Sequence, residues 1–343
     1  ATTAIWRVSY PLSMYRLWHD FRICKRFFRQ MSTSQLPYND HATALRRRLG
    51  GRVQKVAIDA RLGCPNRDGK LGWGGCTFCL NEAFSPSYCR EAESIAEQIE
   101  RGIAFHTERN RQSAHYLAYF QSGTNTYAPV EQLRTLYNEA LANPKISGII
   151  IGTRPDCINS EIVDILADIA THKYVAVEYG IESTLDRTLK RVNRHHLFAD
   201  AQRAVELTQG RNIEIGAHFI IGLPGESRAD IIATTEAINS LNLNYIKLHQ
   251  LQIYRSTAMA EEFKREPEEF LLSHDFSTDD YIDLLIEFLR HIQPSTAIDR
   301  LFTLAPRNLI AHSPLSGERP DTLRQRLVER MMQSNYRQGD LLF

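Results

Sequence analysis

Six short, nearly continuous apolar runs lie between residues 53 and 251, and amphipathic segments separate them. The runs are "VQKVAID" (53–59), "HYLAYF" (115–120), "SGIIIGT" (147–153), "YVAVEYG" (174–180), "IEIGAHFIIG" (213–222) and "YIKLHQL" (245–251). Strands buried on both faces read this way, whereas half-exposed strands alternate polar and apolar residues. After the first run, Ile95, Ile99 and Ile103 recur every four residues behind Ser94, which predicts a capped helix over 94–108. Similar patterns predict helices near 130–142, 160–171 and 228–241. Repeated crossovers of this kind build an open doubly wound sheet or a barrel. No dinucleotide-binding fingerprint opens the first unit, and polar residues gather just after the runs, where barrels place their sites. The pattern changes after residue 258: a helix near 279–291, a short apolar stretch at 297–306 and a helix near 321–332 read as an appended extension.

A chain of 343 residues has ample length for a large core, and its formal net charge of +1 gives no overall pull toward nucleic acid. No apolar run approaches the roughly 20 residues of a membrane span. Residues 1–30 are basic and aromatic, with Asp20 their sole acid; an organelle transit peptide shares those traits but is richer in serine, and the segment is read as upstream sequence before a start at Met31. The core is then expected over 31–258 and the extension over 259–343.

The segment "CPNRDGKLGWGGCTFCL" (64–80) follows the first run directly and places Cys64, Cys76 and Cys79 in a glycine-rich loop with little apolar character. Six cysteines in a chain this long do not form a secreted disulfide framework, so a reducing, cytoplasmic, metal-binding setting is expected. A structural zinc site wants four ligands, and Cys89 in "PSYCREAES" is a poor fourth. Three thiolates on an iron–sulfur cluster would instead leave one iron open. Gly72, Gly74 and Gly75 would let backbone N–H groups approach cluster sulfurs.

The combination "CPNRDG…GGCTFC", "AYFQSGTNTYAP", "GTRPDC", "VEYGIES", "RVNRHH", "HFIIGLPGES" and "IKLHQL", in that order, resembles the radical S-adenosylmethionine (SAM) superfamily, and within it the YhcC/YtqA-type proteins. The resemblance runs from about residue 36 to the C-terminus. It implies an α/β fold, a partial (β/α)6 TIM-like barrel with a C-terminal α/β extension. It further implies a [4Fe-4S] cluster held by Cys64, Cys76 and Cys79, reductive cleavage of SAM to a 5′-deoxyadenosyl radical, and a flavodoxin- or ferredoxin-type electron donor.

The same resemblance assigns SAM-binding roles. Phe78 would pack near cluster and adenine, while Ser122, Gly123 and Thr124 would form the turn that meets the amino group. Glu182 stands where related coproporphyrinogen oxidases carry a ribose-binding glutamine, and it keeps acceptor capacity but loses the donor. Arg194 would pair the carboxylate through its guanidinium fork. Ile220 and Pro224 would wall the adenine.

"TRPDC", "RVNRHH" and "IKLHQL" are also similar to the radical SAM domain of the Elongator catalytic subunit, which points to RNA and to tRNA wobble uridine as substrate. Arg154, Asp156, His218 and Lys247 are the substrate-side candidates, and Cys157 lies in the same loop. Basic clusters at 46–52 and 187–196 are candidate phosphate contacts. Two other readings remain open: a radical enzyme for a small molecule or peptide, and a non-catalytic, zinc-stabilised RNA-binding module.

Overall fold

In the computed structural model, which describes residues 36–81, 85–273, 275–315 and 317–342, each apolar run becomes a strand. They are β1 (Val53–Ile58), β2 (His115–Phe120), β3 (Ile146–Thr153), β4 (Tyr174–Glu182), β5 (Glu214–Ile221) and β6 (Tyr245–Gln250). Three short strands follow: β7 (Ile253–Tyr254), β8 (Ala297–Arg300) and β9 (Ile310–His312). The main sheet has the order β1-β2-β3-β4-β5-β6-β8, and all its neighbours run parallel. β7 and β9 pair antiparallel outside it. The reading of residues 1–30 falls outside the described residues.

The helices form where periodicity and caps place them. Helix Ile95–Glu108 starts at Ser94, whose hydroxyl accepts the Glu97 N–H at 3.1 Å. Its isoleucines are buried, and the helix packs back over β1. Helices Val130–Leu141, Ser160–Ile169 and Arg228–Ser240 occupy the connections after β2, β3 and β5.

The C-terminal extension also contributes to the sheet, because Ala297–Arg300 adds a seventh strand alongside β6. Four residues are too few to show a period, so the pairing was hidden. The sheet curls strongly: β1 and β8 are its two edges, yet Lys55 of β1 donates to Asp299 of β8 at 2.8 Å. Helix His41–Leu49, absent from the sequence reading, plugs the end where the strands begin. Asp40 caps it, and the Asn39 carbonyl accepts the Ile298 N–H at 2.7 Å. Leu45 joins Leu117, Tyr119, Ile150, Tyr174, Ala176, Tyr245 and Ala297 in the core there. A plugged floor leaves the opposite end of the half-barrel as the place for a site.

Candidate active site

At the carboxyl ends of the strands the half-barrel encloses a cavity of about 390 Å³. One wall is the loop after β1, with Cys64, Cys76, Phe78 and Cys79 on its surface. Tight turns shape that loop: Arg67 N–H donates to the Cys64 carbonyl at 2.8 Å and Cys79 N–H to the Cys76 carbonyl at 3.0 Å. The loop is stapled to the segment after helix Asp186–Arg191. Asn66 Nδ2 donates to the Asn193 carbonyl at 2.6 Å and lies 3.4 Å from Cys76 Sγ, and Asn193 Nδ2 returns a bond to the Gly75 carbonyl at 2.9 Å. Arg194 Nη1 approaches Cys76 Sγ to 3.5 Å, so two N–H donors face that sulfur. Burial opposes the charge on Arg194, but Cys76 and Glu182 outweigh it and raise the guanidinium pKa.

The next wall is the turn after β2. Gly123 has φ +78°, and a Cβ there would stand 2.6 Å from the Leu62 carbonyl oxygen. Only glycine permits this approach, which lets Thr124 N–H reach the Gly63 carbonyl at 3.2 Å. Beyond it, Arg154 holds Asp156 through two bonds of 2.9 and 2.8 Å and donates to the Arg194 carbonyl. The β4 end carries a register irregularity between Gly180 and Glu182, and Glu182 sits at φ +70°. That bulge turns its carboxylate toward Arg194, 3.6 Å away.

The floor is a buried set of charges. Glu178 of β4 accepts from Lys247 at 2.6 Å, from His218 at 2.8 Å and from Tyr245 at 2.8 Å. Lys247 also bonds Tyr119 at 3.1 Å and lies 3.3 Å from Asp299. Burial would push both carboxyls up, yet Lys247, Lys55 and a neighbouring histidine hold Glu178 and Asp299 well below the usual carboxylate range. Burial drives the Lys55 pKa down against the opposing pull of Asp299. Two cations face two anions, so the charges balance within the set.

Among the residues singled out from sequence, Cys64, Cys76, Phe78, Cys79, Gly123, Thr124, Arg154, Glu182, Arg194, His218 and Ile220 line this one cavity. Ser122 does not; its hydroxyl meets Ser85 behind the wall. Pro224 is buried away from the cavity, and Asp156 is taken up by Arg154. Lys247 lies beneath the floor, with its donors committed to Glu178, Asp299 and Tyr119. Cys89 is fully buried against the Ala57 carbonyl, its thiol pushed up to about 11 by burial. Half-buried Cys157 is pushed up to about 12 by burial and by Asp156.

Of the two basic clusters, Arg194 lines the cavity, and other members are paired away from it. Arg187 is paired with Asp230, Arg191 with Glu262 and Glu269, and His195 with Asn66. The 46–52 cluster belongs to the opposite end, where Arg48 meets Glu214. Sequence reasoning passed over Glu178, His249 and Thr303, all on the cavity wall. For the first two a signal existed: each lies two residues from another inward polar or glycine position, Gly180 and Lys247, at the strand period.

The donor set fits an iron–sulfur cluster with a bound zwitterion. Among the described residues no three His, Cys, Asp or Glu side chains stand close enough to hold one ion. Cluster thiolates each bind a separate iron and need not converge on a point. Arg154 Nη1 and Arg194 Nε are buried with no hydrogen-bond partner, beside a cavity they both line. Unsatisfied buried cationic donors fit a carboxylate.

The family model described as the radical SAM superfamily matches residues 63–238, and that described as the radical SAM C-terminal domain matches residues 243–334. Protein YhcC of Escherichia coli (strain K12) is 36% identical over 264 residues, 77% of this chain and 82% of that protein. YtqA of Bacillus subtilis (strain 168) is 34% identical over 284 residues, 81% of this chain and 85% of that protein. Among solved structures, archaeal Methanocaldococcus infernus Elp3 with an N-terminal deletion superimposes with a TM-score of 0.62 at 17% identity. The match covers 83% of this chain and 64% of that one, just under two thirds of it. At that identity the likeness shows the fold alone.

Proposed function

This chain belongs to the radical SAM superfamily, whose enzymes use a [4Fe-4S] cluster and SAM, and from that premise we propose residue roles and a substrate class. When bound, the cluster supplies one electron that splits SAM and yields the 5′-deoxyadenosyl radical for hydrogen-atom removal. Cys64, Cys76 and Cys79 are its ligands. Asn66 and Arg194 direct N–H groups at Cys76, which stabilises negative charge on that sulfur. The Gly123–Thr124 turn receives the amino end of SAM. Arg194 and Arg154, each with an unpaired buried N–H, hold the carboxylate. Glu182 accepts from the ribose hydroxyls, and Phe78 and Ile220 flank the adenine.

The observation that carries this reading is the collection of eleven separately chosen residues, from six positions along the chain, around one cavity. Anaerobically reconstituted protein with SAM and a strong reductant is expected to form 5′-deoxyadenosine, and Cys76→Ala to abolish it. Full cleavage by that variant would refute the assignment. In the cell the reductant is of flavodoxin or ferredoxin type, and the site of action is the cytoplasm. Among the described residues no helix is long and apolar enough to cross a membrane.

The substrate class is a nucleoside in RNA, with tRNA wobble uridine first. Support comes from the Elongator-like strings, whose Arg154, Arg194 and His249 share the cavity. It also comes from the loop between Cys64 and Cys76, where Trp73 is 76% exposed beside exposed Lys70. An exposed indole suits stacking on a splayed base, and Lys70, over the Tyr127 ring in the same region, offers a phosphate contact. Deuterium carried from labelled tRNA into 5′-deoxyadenosine would support it; transfer from a peptide or metabolite and none from tRNA would replace it.

A further inference from the structure

A continuous hydrogen-bonded line of side chains runs along the cavity from its buried floor to its rim. Glu178 accepts from His218 Nε2 at 2.8 Å, and His218 Nδ1 lies 3.2 Å from His249 Nε2. His249 Nδ1 lies 3.0 Å from Thr303 Oγ1. The two imidazoles stack with centroids 5.1 Å apart. The carboxylate can only accept, so His218 carries a proton on Nε2, and in the neutral ring its Nδ1 accepts. His249 therefore donates from Nε2, and its Nδ1 accepts the Thr303 hydroxyl. Every bond points toward Glu178, and the lone pairs of Thr303 Oγ1 are left for the cavity.

Thr303 is held with unusual care for a loop residue. Gln250 accepts its N–H at 2.9 Å and also donates to its carbonyl, and Gln252 donates to the same carbonyl at 3.2 Å. Both glutamines are buried. Packing alone does not call for two buried amides on one threonine backbone, whereas fixing a reactive hydroxyl does.

We propose that Thr303, His249 and His218 form a proton relay that draws a proton from an O–H or N–H group of the substrate toward Glu178. This rests on the cavity being the reaction site. The substrate's bond to hydrogen breaks as Thr303 Oγ1 gains that proton. The former Thr303 proton moves to His249 Nδ1, and the His249 Nε2 proton moves to His218 Nδ1. Three bonds to hydrogen break and three form, and no electron changes owner. The positive charge ends on His218 against the Glu178 carboxylate, and the substrate is left one proton poorer. Around the line stand Lys55, Tyr119, Tyr245, Lys247, Asp299 and Arg300. Burial and the neighbouring His218 and Arg300 push His249 well below the ordinary imidazole value, so it passes a proton on without retaining it.

The test is imidazole nitrogen NMR of the full chain carrying labelled histidine, read for the tautomer of each ring. Because it needs neither SAM nor reductant, its outcome is independent of the cleavage assay above. In the neutral rings, His218 and His249 are both expected to carry the proton on Nε2. Thr303→Val should shift His249 toward mixed tautomers, and Thr303→Ser should restore the Nε2 form. A proton on His249 Nδ1 in the wild type, or signals that ignore Thr303→Val, would each overturn the relay.

Discussion

Lys247 shows how a residue's surroundings reverse its reading. As a lysine in a strand that leads to the site, it looked available to substrate. In the folded chain Glu178 and Asp299, brought from β4 and β8, claim its charge. Removing one member of a buried pair leaves the other uncompensated, so Lys247→Met is expected to cost about 3–5 kcal/mol in urea unfolding at neutral pH. The pH dependence has a definite sign. Glu178 and Asp299 have depressed pKa values in the folded state. The stability they add is present above the unfolded carboxylate value of about 4 and is lost as pH falls through the lower folded values. The deficit of Lys247→Met should therefore narrow below about pH 4. Equal deficits at pH 7 and pH 3 would contradict the account. The ligand cysteines were legible because spacing and composition mark them locally, but the partners of Lys247 lie 69 and 52 residues away along the chain.

At the scale of elements, strands and helices followed the sequence closely, because burial on both faces and capped amphipathic periods are local signals. The turns that build the site depend on approach between elements. Gly123 would look like any strand-to-helix glycine, yet the Leu62 carbonyl beside it makes a Cβ impossible without movement. Gly123→Ala is expected to keep the far-ultraviolet spectrum and lose about 1–3 kcal/mol, with clearly less iron per chain after reconstitution. Unchanged iron content would mean that the two loops do not need this contact. Glu182 is a second case: its φ of +70° arises from a bulge against β5, which no run of residues in β4 announces.

On either side of residue 258 the chain packs into one compact unit. β8 supplies the last pairing for β6 and places Asp299 between Lys55 and Lys247. A chain ending at residue 258 would expose the β6 edge and leave half-buried Lys55 and buried Lys247 short of one counter-ion. It is expected to aggregate or to lack a cooperative thermal transition in calorimetry; a sharp two-state transition would show that the extension is dispensable for folding. By itself the sequence determined the strand count up to β6, the parallel class, the cysteine loop and the family, because each is written in neighbouring residues or in a motif order. Only the tertiary structure decided which polar groups face the cavity and which neutralise one another beneath it. A buried charge is defined by its partners, and here those partners come from strands that the chain brings together only when the sheet curls.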